Sequence, residues 1–423
     1  MSEGRREGPL RVLQLMSCRG WSSDAWAAVS LTLGLQERGH EVILVCREKE
    51  GEGVAEKAAE AGIRRIEFFS FQSGLRPAVW RRDIRGLRRL MAAADIQVLH
   101  AHRGQEHWLA AATLRLGGGG ERGGENRPAA ALIRSRHILQ PVRTHPANRW
   151  LYNRATDQVV AATEKIRAGF ERSGAFRSAR LITLRGGVDA RDFRPGLNGR
   201  GDRERFGIPD SDVVFGMNSS FIRLKGHMTA LEALARLRQR GLPARLLPAC
   251  AGGDQQKVAR RAAEMGIGDA VHLLGFRNDL PTALSAADAG LFAARSSEGT
   301  SRAVLEWMAL GRPVVATDVG CVRELLRDGA DGLIVPPENP AALADAMERL
   351  VRNPERLRDM GRSARDRAER EYDRRAWTGR MVGVYRRALG LPAEPAGDAG
   401  GAPPEGVDGA DQPAAQAGRG GRR

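Results

Sequence analysis

The residues best suited to chemistry in this chain are two glutamates, Glu298 and Glu306, with seven residues between them. An apolar run over 289–293 predicts a strand before them, and a helical pattern begins near Ser301. Because helix N-termini carry partial positive charge, the first N–H groups of this helix and the hydroxyls of Thr300 and Ser301 would form an anion site. The carboxylates could accept hydrogen bonds from sugar hydroxyls, so the segment predicts a site for a diphosphate-linked sugar.

Spacing alone also fits an ordinary helix with a capping Ser or Thr and two solvated glutamates. The surrounding elements therefore matter. Strand-like runs alternate with helix-like segments, which predicts parallel sheets covered on both faces. The predicted strands fall into two series: 11–16, 41–46, 64–69, 97–102, 131–137, 158–163 and 181–185, then 213–218, 244–249, 271–276, 289–293, 313–317 and 332–335. They predict an α/β fold of two Rossmann-like, doubly wound domains facing across a cleft, with ligands at the carboxyl ends of the strands.

Composition shifts mark the boundaries between these domains. We expect an N-terminal domain over 1–190, a linker over 191–212, a second domain over 213–362, a helical segment over 363–390 and a disordered tail over 391–423. The linker is rich in Arg, Gly, Asp and Pro, and the tail is rich in Gly, Ala and Pro. A Gly-rich stretch over 117–127 predicts a flexible loop.

The sequence EGTSRAVLEWMALGRPVVATDVG at 298–320, followed by REL, DG and GLIVPP, resembles the C-terminal signature of family 4 glycosyltransferases of the GT-B fold. The E-x7-E motif of that family matches Glu298 and Glu306. The resemblance continues through 271–279 and 223–226 and covers most of 10–390, more strongly in the second half. It implies transfer of a sugar from a nucleoside-diphosphate (NDP) sugar, and a C-terminal helix over 363–390 that returns to the N-terminal domain.

The resemblance also assigns roles around the motif. Glu298 would act in catalysis by contacting the hydroxyls of the donor sugar, and Glu306 would contact the donor ribose. Gly299, Thr300 and Ser301 would complete this part of the donor site at the start of the helix.

A basic residue for the donor phosphates is expected at Lys225, which is followed by a glycine as in the family. The family usually has an arginine five residues earlier, where this chain has Ser220. Arg223 is the nearest candidate replacement, and Arg134 or Arg136 at the end of another strand are further candidates. Lys225 would therefore be the principal basic ligand and would stabilise the leaving diphosphate.

In the N-terminal half, the run 97–102 resembles the family's strand that ends in H-x-H. The resemblance makes His102 the catalytic candidate beside the transferred sugar and His107 the second choice, although a structural histidine is the alternative. The first loop contains Gly20, which we expect to allow close backbone approach to the donor. The neighbouring Trp21 could shape an acceptor pocket.

The resemblance implies a retaining transferase that uses no metal or other cofactor. The acceptor hydroxyl would attack the face from which the diphosphate leaves, and a covalent glycosyl-enzyme is the alternative. The expected acceptor is a glycan or lipid-linked sugar in the synthesis of lipopolysaccharide or another envelope glycan. An NDP-sugar epimerase and a decayed, non-catalytic GT-B protein are the competing hypotheses.

Composition limits the partners. The net charge of +16 fits an anionic partner, but it also fits a GC-rich genome because nearly all of the positive charge is arginine. Aromatic residues make up 5% of the chain and do not interleave with the basic clusters, so we expect no nucleic acid. The segment 76–89 predicts either a basic amphipathic helix on an anionic membrane or a solvated charged face. Four scattered cysteines and no long apolar run predict a cytoplasmic protein, and the segment 76–89 leaves open a peripheral position at the inner membrane.

Overall fold

The computed structural model describes residues 8–48, 53–72, 76–115, 130–249, 255–296 and 299–393. The predicted flexible loop over 117–127 and nearly all of the predicted tail lie outside these ranges. Among the residues within them, no helix has both the length and the hydropathy needed to cross a membrane.

The N-terminal half forms a seven-stranded parallel sheet. Its strands are β1 (Arg11–Met16), β2 (Glu41–Arg47), β3 (Ile66–Phe69), β4 (Val98–Ala101), β5 (Ala131–Arg136), β6 (Gln158–Ala161) and β7 (Leu181–Thr183). Its helices are α1 (Ser23–Glu37), α2 (Val54–Glu60), α3 (Pro77–Ala93), α4 (Gly104–Arg115), α5 (Pro146–Trp150) and α6 (Glu164–Arg172). The strand order is β3-β2-β1-β4-β5-β6-β7.

The second half forms a five-stranded parallel sheet. Its strands are β8 (Val213–Met217), β9 (Ala244–Pro248), β10 (Ala289–Phe292), β11 (Val314–Thr317) and β12 (Gly332–Val335). The helices from here on are α7 (Arg200–Arg205), α8 (His227–Gln239), α9 (Gln255–Glu264), α10 (Leu280–Leu284), α11 (Arg302–Ala309), α12 (Val322–Leu325), α13 (Pro340–Val351), α14 (Pro354–Arg367) and α15 (Arg374–Leu389). The strand order is β12-β11-β10-β8-β9, and the prediction of two doubly wound α/β domains is confirmed.

One predicted strand is absent from the described part of the second sheet. The run 271–276 makes only isolated bridges beside β9, Leu246 with Val271 and Ala249 with Gly275. Gly275 has a φ of +70°, in the left-handed region, which interrupts the extended backbone that a ladder needs. The prediction of a strand over 271–276 is therefore wrong, although the run lies beside β9.

Each sheet reverses its strand order at one point. In the N-terminal sheet the reversal lies between β1 and β4, and in the second sheet it lies between β8 and β10. In open parallel sheets, such switch points leave a crevice at the carboxyl ends of the two strands, where ligands bind. The segments that follow β1, β4, β8 and β10 therefore border these crevices.

Helix α11 is held on the second sheet by a fully buried tryptophan, Trp307. Its indole lies over Gly216 of β8 and Gly290 of β10, and a Cβ at either glycine would collide with the ring. The two glycines therefore let α11 approach the two strands that flank the switch point. This packing fixes the start of α11 above the crevice.

The interdomain segment contains more structure than composition predicts. Helix α7 lies within the predicted linker over 191–212 and attaches to the second domain. Arg203 pairs with Asp288 at 2.6 Å, and Asp202 pairs with Arg277 at 2.7 Å. Residues from about 200 onward therefore pack with the second sheet.

The segment over 363–390 is not one continuous helix. It contains the end of α14, a π-helical turn (Ala368–Tyr372) and then α15, which begins at Arg374. Helix α15 packs on α1 of the N-terminal domain, with Trp377 and Tyr385 in the same apolar cluster as Leu31. The chain thus crosses back to the first domain through α15.

Candidate functional site

The turn that follows β8 carries the predicted phosphate-binding lysine. Residues Arg223–Lys225 form a 3-10 turn, and Gly226 follows with a φ of +73°. A Cβ at Gly226 would collide with the carbonyl oxygen of Ala293 at the end of β10. Glycine is needed there both for its backbone conformation and for the close contact.

This turn is joined directly to the loop that follows β10. The N–H of Arg295 donates to the carbonyl oxygen of Leu224 at 2.9 Å. Lys225, half-buried, and Thr300, also half-buried, therefore belong to two segments that meet at the switch point of the second sheet. Arg223 is exposed in the same turn. The structure brings the predicted phosphate-binding turn and the predicted helix start together.

Helix α11 begins as the sequence predicts, at Arg302, but Ser301 does not act as a conventional cap. Ser301 has a φ of +36°, in the left-handed region, and its side chain accepts no capping hydrogen bond. Its hydroxyl is buried and has no partner among the described residues. A buried hydroxyl without a partner beside strained backbone is typical of a ligand site. Glu298 lies outside the described residues.

Glu306 lies deeper in the same site and is almost fully buried. Arg302 pairs with its carboxylate at 2.9 Å, and the side-chain amide of Asn218 donates to the other oxygen. Burial raises the pKa of Glu306, while Arg302 and the Asn218 hydrogen bond oppose that shift. Asn218 was not among the residues predicted from sequence, although its place just after β8 marks it as facing the crevice.

The site is bounded on its other side by the N-terminal domain. A Cβ at Gly299 would collide with the carbonyl oxygen of His137, which follows β5. The guanidinium of Arg302 lies 5.2 Å from the ring centroid of Trp26 in α1, a cation–π contact. A cavity at this boundary is lined from both domains by His137, Trp26, Thr300 and Arg302, among others. The two domains therefore meet at the start of α11.

His102, the predicted catalytic histidine, is 2% exposed and lies beneath His137. The two imidazoles stack with centroids 5.7 Å apart and an interplanar angle of 8°. His137, and not His102, lines the cavity between the domains. The structure thus separates His102 from the cleft by one ring. Ala101 of β4 pairs with Arg134 of β5, so His137 lies further along the sheet than His102.

A chain of hydrogen bonds fixes the protons on these rings. The Gln14 amide N–H donates to the Tyr385 hydroxyl at 3.0 Å, and that hydroxyl lies 2.7 Å from His100 Nδ1, to which it donates. His102 Nε2 donates to Gln14 Oε1 at 2.7 Å, which leaves His102 Nδ1 to accept from His137 Nε2 at 3.4 Å. Neutral His137 therefore keeps Nδ1 as an acceptor.

His100, His102 and His137 are neutral at physiological pH. Burial lowers the pKa of His100 and of His102 well below the usual value, and neighbouring positive groups lower it further. Burial also lowers the pKa of His137 to about 4, against an opposing effect of Asp24. Tyr385 comes from α15, so the helix that returns from the second domain sets the proton positions beneath the cleft.

Three residues singled out from sequence are engaged by other groups of the N-terminal domain. His107 is buried and bonds Thr156 at 2.7 Å. Arg134 donates to the carbonyl oxygens of Ala101 and Ser135, and Arg136 donates to that of Gln140. These contacts engage Arg134 and Arg136, although Arg134 Nε has no partner among the described residues. Lys225 and Arg223 lie in the turn that is joined to the loop before α11.

Gly20, predicted to approach the donor, instead lines a separate pocket of about 800 Å³ within the N-terminal domain. That pocket lies at the carboxyl ends of β1 and β4, the switch point of the first sheet. Trp21 next to it is 37% exposed and does not line the pocket.

Within the part of the chain that the structure describes, no cluster of three or more His, Cys, Asp or Glu residues is arranged to hold a metal. One Asp-x-Asp sequence does occur, at Asp210 and Asp212. It precedes β8 at the amino end of the strand, and Asp212 pairs with Arg245 at 2.7 Å. This pair lies at the opposite edge of the sheet from the switch-point crevice.

Comparison with known proteins agrees with this geometry. Residues 26–192 match the model for Glycosyltransferase Family 4, and residues 200–367 match the model for Glycosyl transferases group 1. Alpha-D-kanosaminyltransferase of Streptomyces kanamyceticus is 31% identical over 191 residues, which are 45% of this chain and 49% of that protein. D-inositol 3-phosphate glycosyltransferase of Corynebacterium urealyticum is 30% identical over 249 residues, which are 56% of this chain and 58% of that protein.

The chain thus spans about half the length of these curated relatives. Among solved structures, Anabaena HepE in complex with UDP and glucose has a TM-score of 0.72 and 18% identity, over 89% of this chain and 99% of that one. This similarity shows the fold. Each half of the chain therefore matches a glycosyltransferase family model, and the two domains are arranged in the GT-B fold.

Proposed function

We propose that this chain is a retaining glycosyltransferase that moves a sugar from an NDP-sugar to a hydroxyl acceptor. The observation that carries the proposal is the hydrogen bond between Arg295 and Leu224, which holds the Lys225 turn against the loop leading into α11. A lysine and a helix N-terminus at one switch point form a site for a diphosphate. The matched family models and the names of the relatives support transfer as the reaction.

In this proposal, the donor diphosphate binds between Lys225 and the first turn of α11. The unpartnered Ser301 hydroxyl would gain a phosphate oxygen as its hydrogen-bond partner. Glu306, positioned by Asn218 and Arg302, would accept a hydrogen bond from the ribose. A solved structure of similar fold was obtained with UDP and glucose, which supports a nucleotide-sugar donor.

Departure of the diphosphate develops negative charge that Lys225 and the N-terminus of α11 would stabilise. The sugar becomes oxocarbenium-like, and the acceptor hydroxyl attacks from the side of the leaving phosphate, which takes its proton. His137 Nδ1 would accept a hydrogen bond from the sugar as this happens. Glu298 would contact the sugar hydroxyls as the resemblance implies, and no metal or cofactor takes part.

We further propose that the acceptor is an envelope glycan or lipid-linked sugar at the cytoplasmic face of the inner membrane. Helix α3 supports this, because Arg81, Arg82, Arg85 and Arg89 are exposed on it. Exposed arginines on one helix favour an anionic membrane surface. Trp80 of the same helix lines the N-terminal pocket, which would put the pocket beside that surface.

A thermal-shift screen across UDP-, GDP- and ADP-sugars tests donor binding and names the base. Incubation of the best donor with candidate acceptors, followed by NMR of the anomeric proton, tests transfer and stereochemistry. A product with the donor's anomeric configuration supports a retaining transferase. Inversion overturns the retaining mechanism, and release of free sugar without any glycoside product overturns transfer.

A further inference from the structure

The pocket at the switch point of the N-terminal sheet is lined by arginine and tryptophan side chains that have no role in the proposed donor site. It is lined by Arg19 and Gly20 after β1, Arg47 at the end of β2, and Arg103 after β4. Its volume of about 800 Å³ lies within the range of pockets that bind small molecules. Thr300, Ser301 and Lys225 do not line it, so it is separate from the start of α11.

The charge of this pocket is positive. It is lined by three arginines, and none of its described lining residues is acidic. Burial lowers the pKa of Arg47, and the Arg19 guanidinium, which lines the same pocket, lowers it further. Among the described residues, Arg103 has a carboxylate partner, Asp24 at 3.2 Å, whereas Arg19 and Arg47 have none. Two like charges that line one pocket and have no carboxylate partner in the described part of the chain favour an anionic ligand.

The backbone of the pocket adds to this preference. Gly104 and Gln105, the first two residues of α4, line the same wall as Arg103. The N–H groups in the first turn of a helix lack partners within the helix and carry partial positive charge. These N–H groups and the arginines would therefore bind the same anion.

The remaining wall is aromatic. Trp80 of α3 and Trp108 of α4 line the pocket, and both are partly buried. Trp108 is held in place by Trp150, with ring centroids 6.2 Å apart and an interplanar angle of 18°. An indole held in this way offers a flat apolar surface against which the C–H face of a sugar or polyol ring can pack. The pocket therefore combines an anion-binding end with a ring-binding wall.

We infer that this pocket binds the acceptor and that the acceptor is a phosphorylated sugar or polyol. Arg19, Arg47 and Arg103 hold the phosphate, and Trp80 and Trp108 hold the ring. The inference rests on the proposed function, because it assigns the acceptor of the same reaction. It distinguishes this chain from a transferase whose acceptor is neutral or cationic, since three guanidinium groups would repel an amino sugar.

Calorimetry on the full-length protein tests the inference, with and without saturating UDP. The probes are glucose 6-phosphate, mannose 6-phosphate and myo-inositol 1-phosphate, each beside its unphosphorylated parent. We expect at least one phosphorylated probe to bind about tenfold or more tightly than its parent. Arg47→Gln and, separately, Arg19→Gln should each weaken that binding about tenfold, while Arg172→Gln at the exposed end of α6 should change it less than twofold.

A second arm separates a soluble phosphosugar from a lipid headgroup of the same chemistry. Sedimentation with phosphatidylcholine vesicles, with and without phosphatidylinositol, is compared among the wild type, Arg47→Gln and Arg172→Gln. Binding to the phosphatidylinositol vesicles that only Arg47→Gln loses supports the inference with a lipid-borne acceptor.

The inference is overturned if every phosphorylated probe binds no better than its parent and vesicle binding is absent or survives Arg47→Gln. It is also overturned if Arg47→Gln, Arg19→Gln and Arg172→Gln behave alike in both arms. UDP binding tests the proposed donor function separately from the acceptor inference. If UDP binds but phosphorylated probes do not, only the acceptor inference fails, whereas absence of UDP binding with intact phosphosugar binding removes the proposed donor function alone.

Discussion

The carboxylate of Glu324, in the second domain, accepts a hydrogen bond from the backbone N–H of Lys165 and so caps helix α6 of the first domain. This carboxylate accepts hydrogen bonds from the backbone N–H groups of Lys165 at 3.0 Å and Glu164 at 2.7 Å, at the start of α6. Arg185 adds an ion pair at 3.3 Å. Carboxylates at helix N-termini are stabilising, and here the carboxylate belongs to the opposite domain. This contact joins the domains beside the cleft.

Removing that carboxylate should loosen the contact between the domains. We expect Glu324→Ala to lower the free energy of unfolding by about 1 kcal/mol, as loss of a helix cap does. Urea denaturation measures the change, and small-angle X-ray scattering should show a larger radius of gyration. Glu232→Ala, an exposed change on α8, is the control. A Glu324→Ala protein as stable and as compact as the control would contradict a role in joining the domains.

The contact between Gly299 and His137 predicts a second effect. A Cβ at residue 299 would collide with the His137 carbonyl oxygen, so Gly299→Ala should hold the domains apart at the start of α11. We expect transfer to slow by about tenfold or more, because small misplacements in an active site are costly. Gly201→Ala, where a Cβ meets open space, is the control. Equal rates for the two variants would remove the proposed importance of this approach.

Substitution of Ser301 by glycine should raise the free energy of unfolding and weaken UDP binding. Its left-handed backbone costs about 1 kcal/mol or more, and glycine adopts that conformation freely. Ser301→Gly should therefore raise the free energy of unfolding by about 1 kcal/mol in the absence of ligand, while Ser301→Ala should not. Both should weaken UDP binding if the hydroxyl meets phosphate. Thermal unfolding and calorimetry measure the two effects, and a Ser301→Gly variant no more stable than Ser301→Ala would refute stored strain.

His137 predicts a pH dependence of stability. Its folded pKa of about 4 lies below the usual value for an unfolded histidine, about 6.5. The unfolded state therefore binds a proton first as pH falls, so stability is full above about 6.5 and declines down to about 4. The expected contribution lost by pH 5 is about 2 kcal/mol.

His137→Gln should remove this contribution, so its unfolding free energy should fall less between pH 7 and pH 5 than that of the wild type. Urea melts at the two pH values measure the slopes, with the exposed His145→Gln as control. Parallel slopes for wild type and His137→Gln would contradict a buried neutral imidazole at this position.

Sequence patterns predict the parts of this molecule that local rules determine. The strand before the loop, the start of α11 and the lysine turn each follow from apolar runs, glycine and charge within a short segment. The failed strand over 271–276 shows the limit, because a left-handed Gly275 interrupts pairing that its apolar pattern favours. Whether an apolar run pairs depends on backbone conformation as well as on composition.

The site contacts that sequence does not predict join residues far apart in the chain. Asn218 reaches Glu306, and Tyr385 reaches His100, only because strand order and the returning α15 bring them together. The H-x-H pattern favours His102 over His137, because it indicates which strand ends at the site but not which ring faces the cleft. Such choices depend on packing between elements, which spacing along the chain does not encode.

The most direct test of the central claim is calorimetric titration of UDP and GDP into wild type, Lys225→Ala and Lys257→Ala. Both substitutions remove a lysine, but Lys257 is exposed on α9, away from the switch-point crevice. We predict that the wild type binds one of these nucleotides and that Lys225→Ala weakens binding about tenfold or more, while Lys257→Ala leaves it unchanged within twofold. Equal affinities for the two variants, or no nucleotide binding by the wild type, would contradict a diphosphate site between Lys225 and the start of α11.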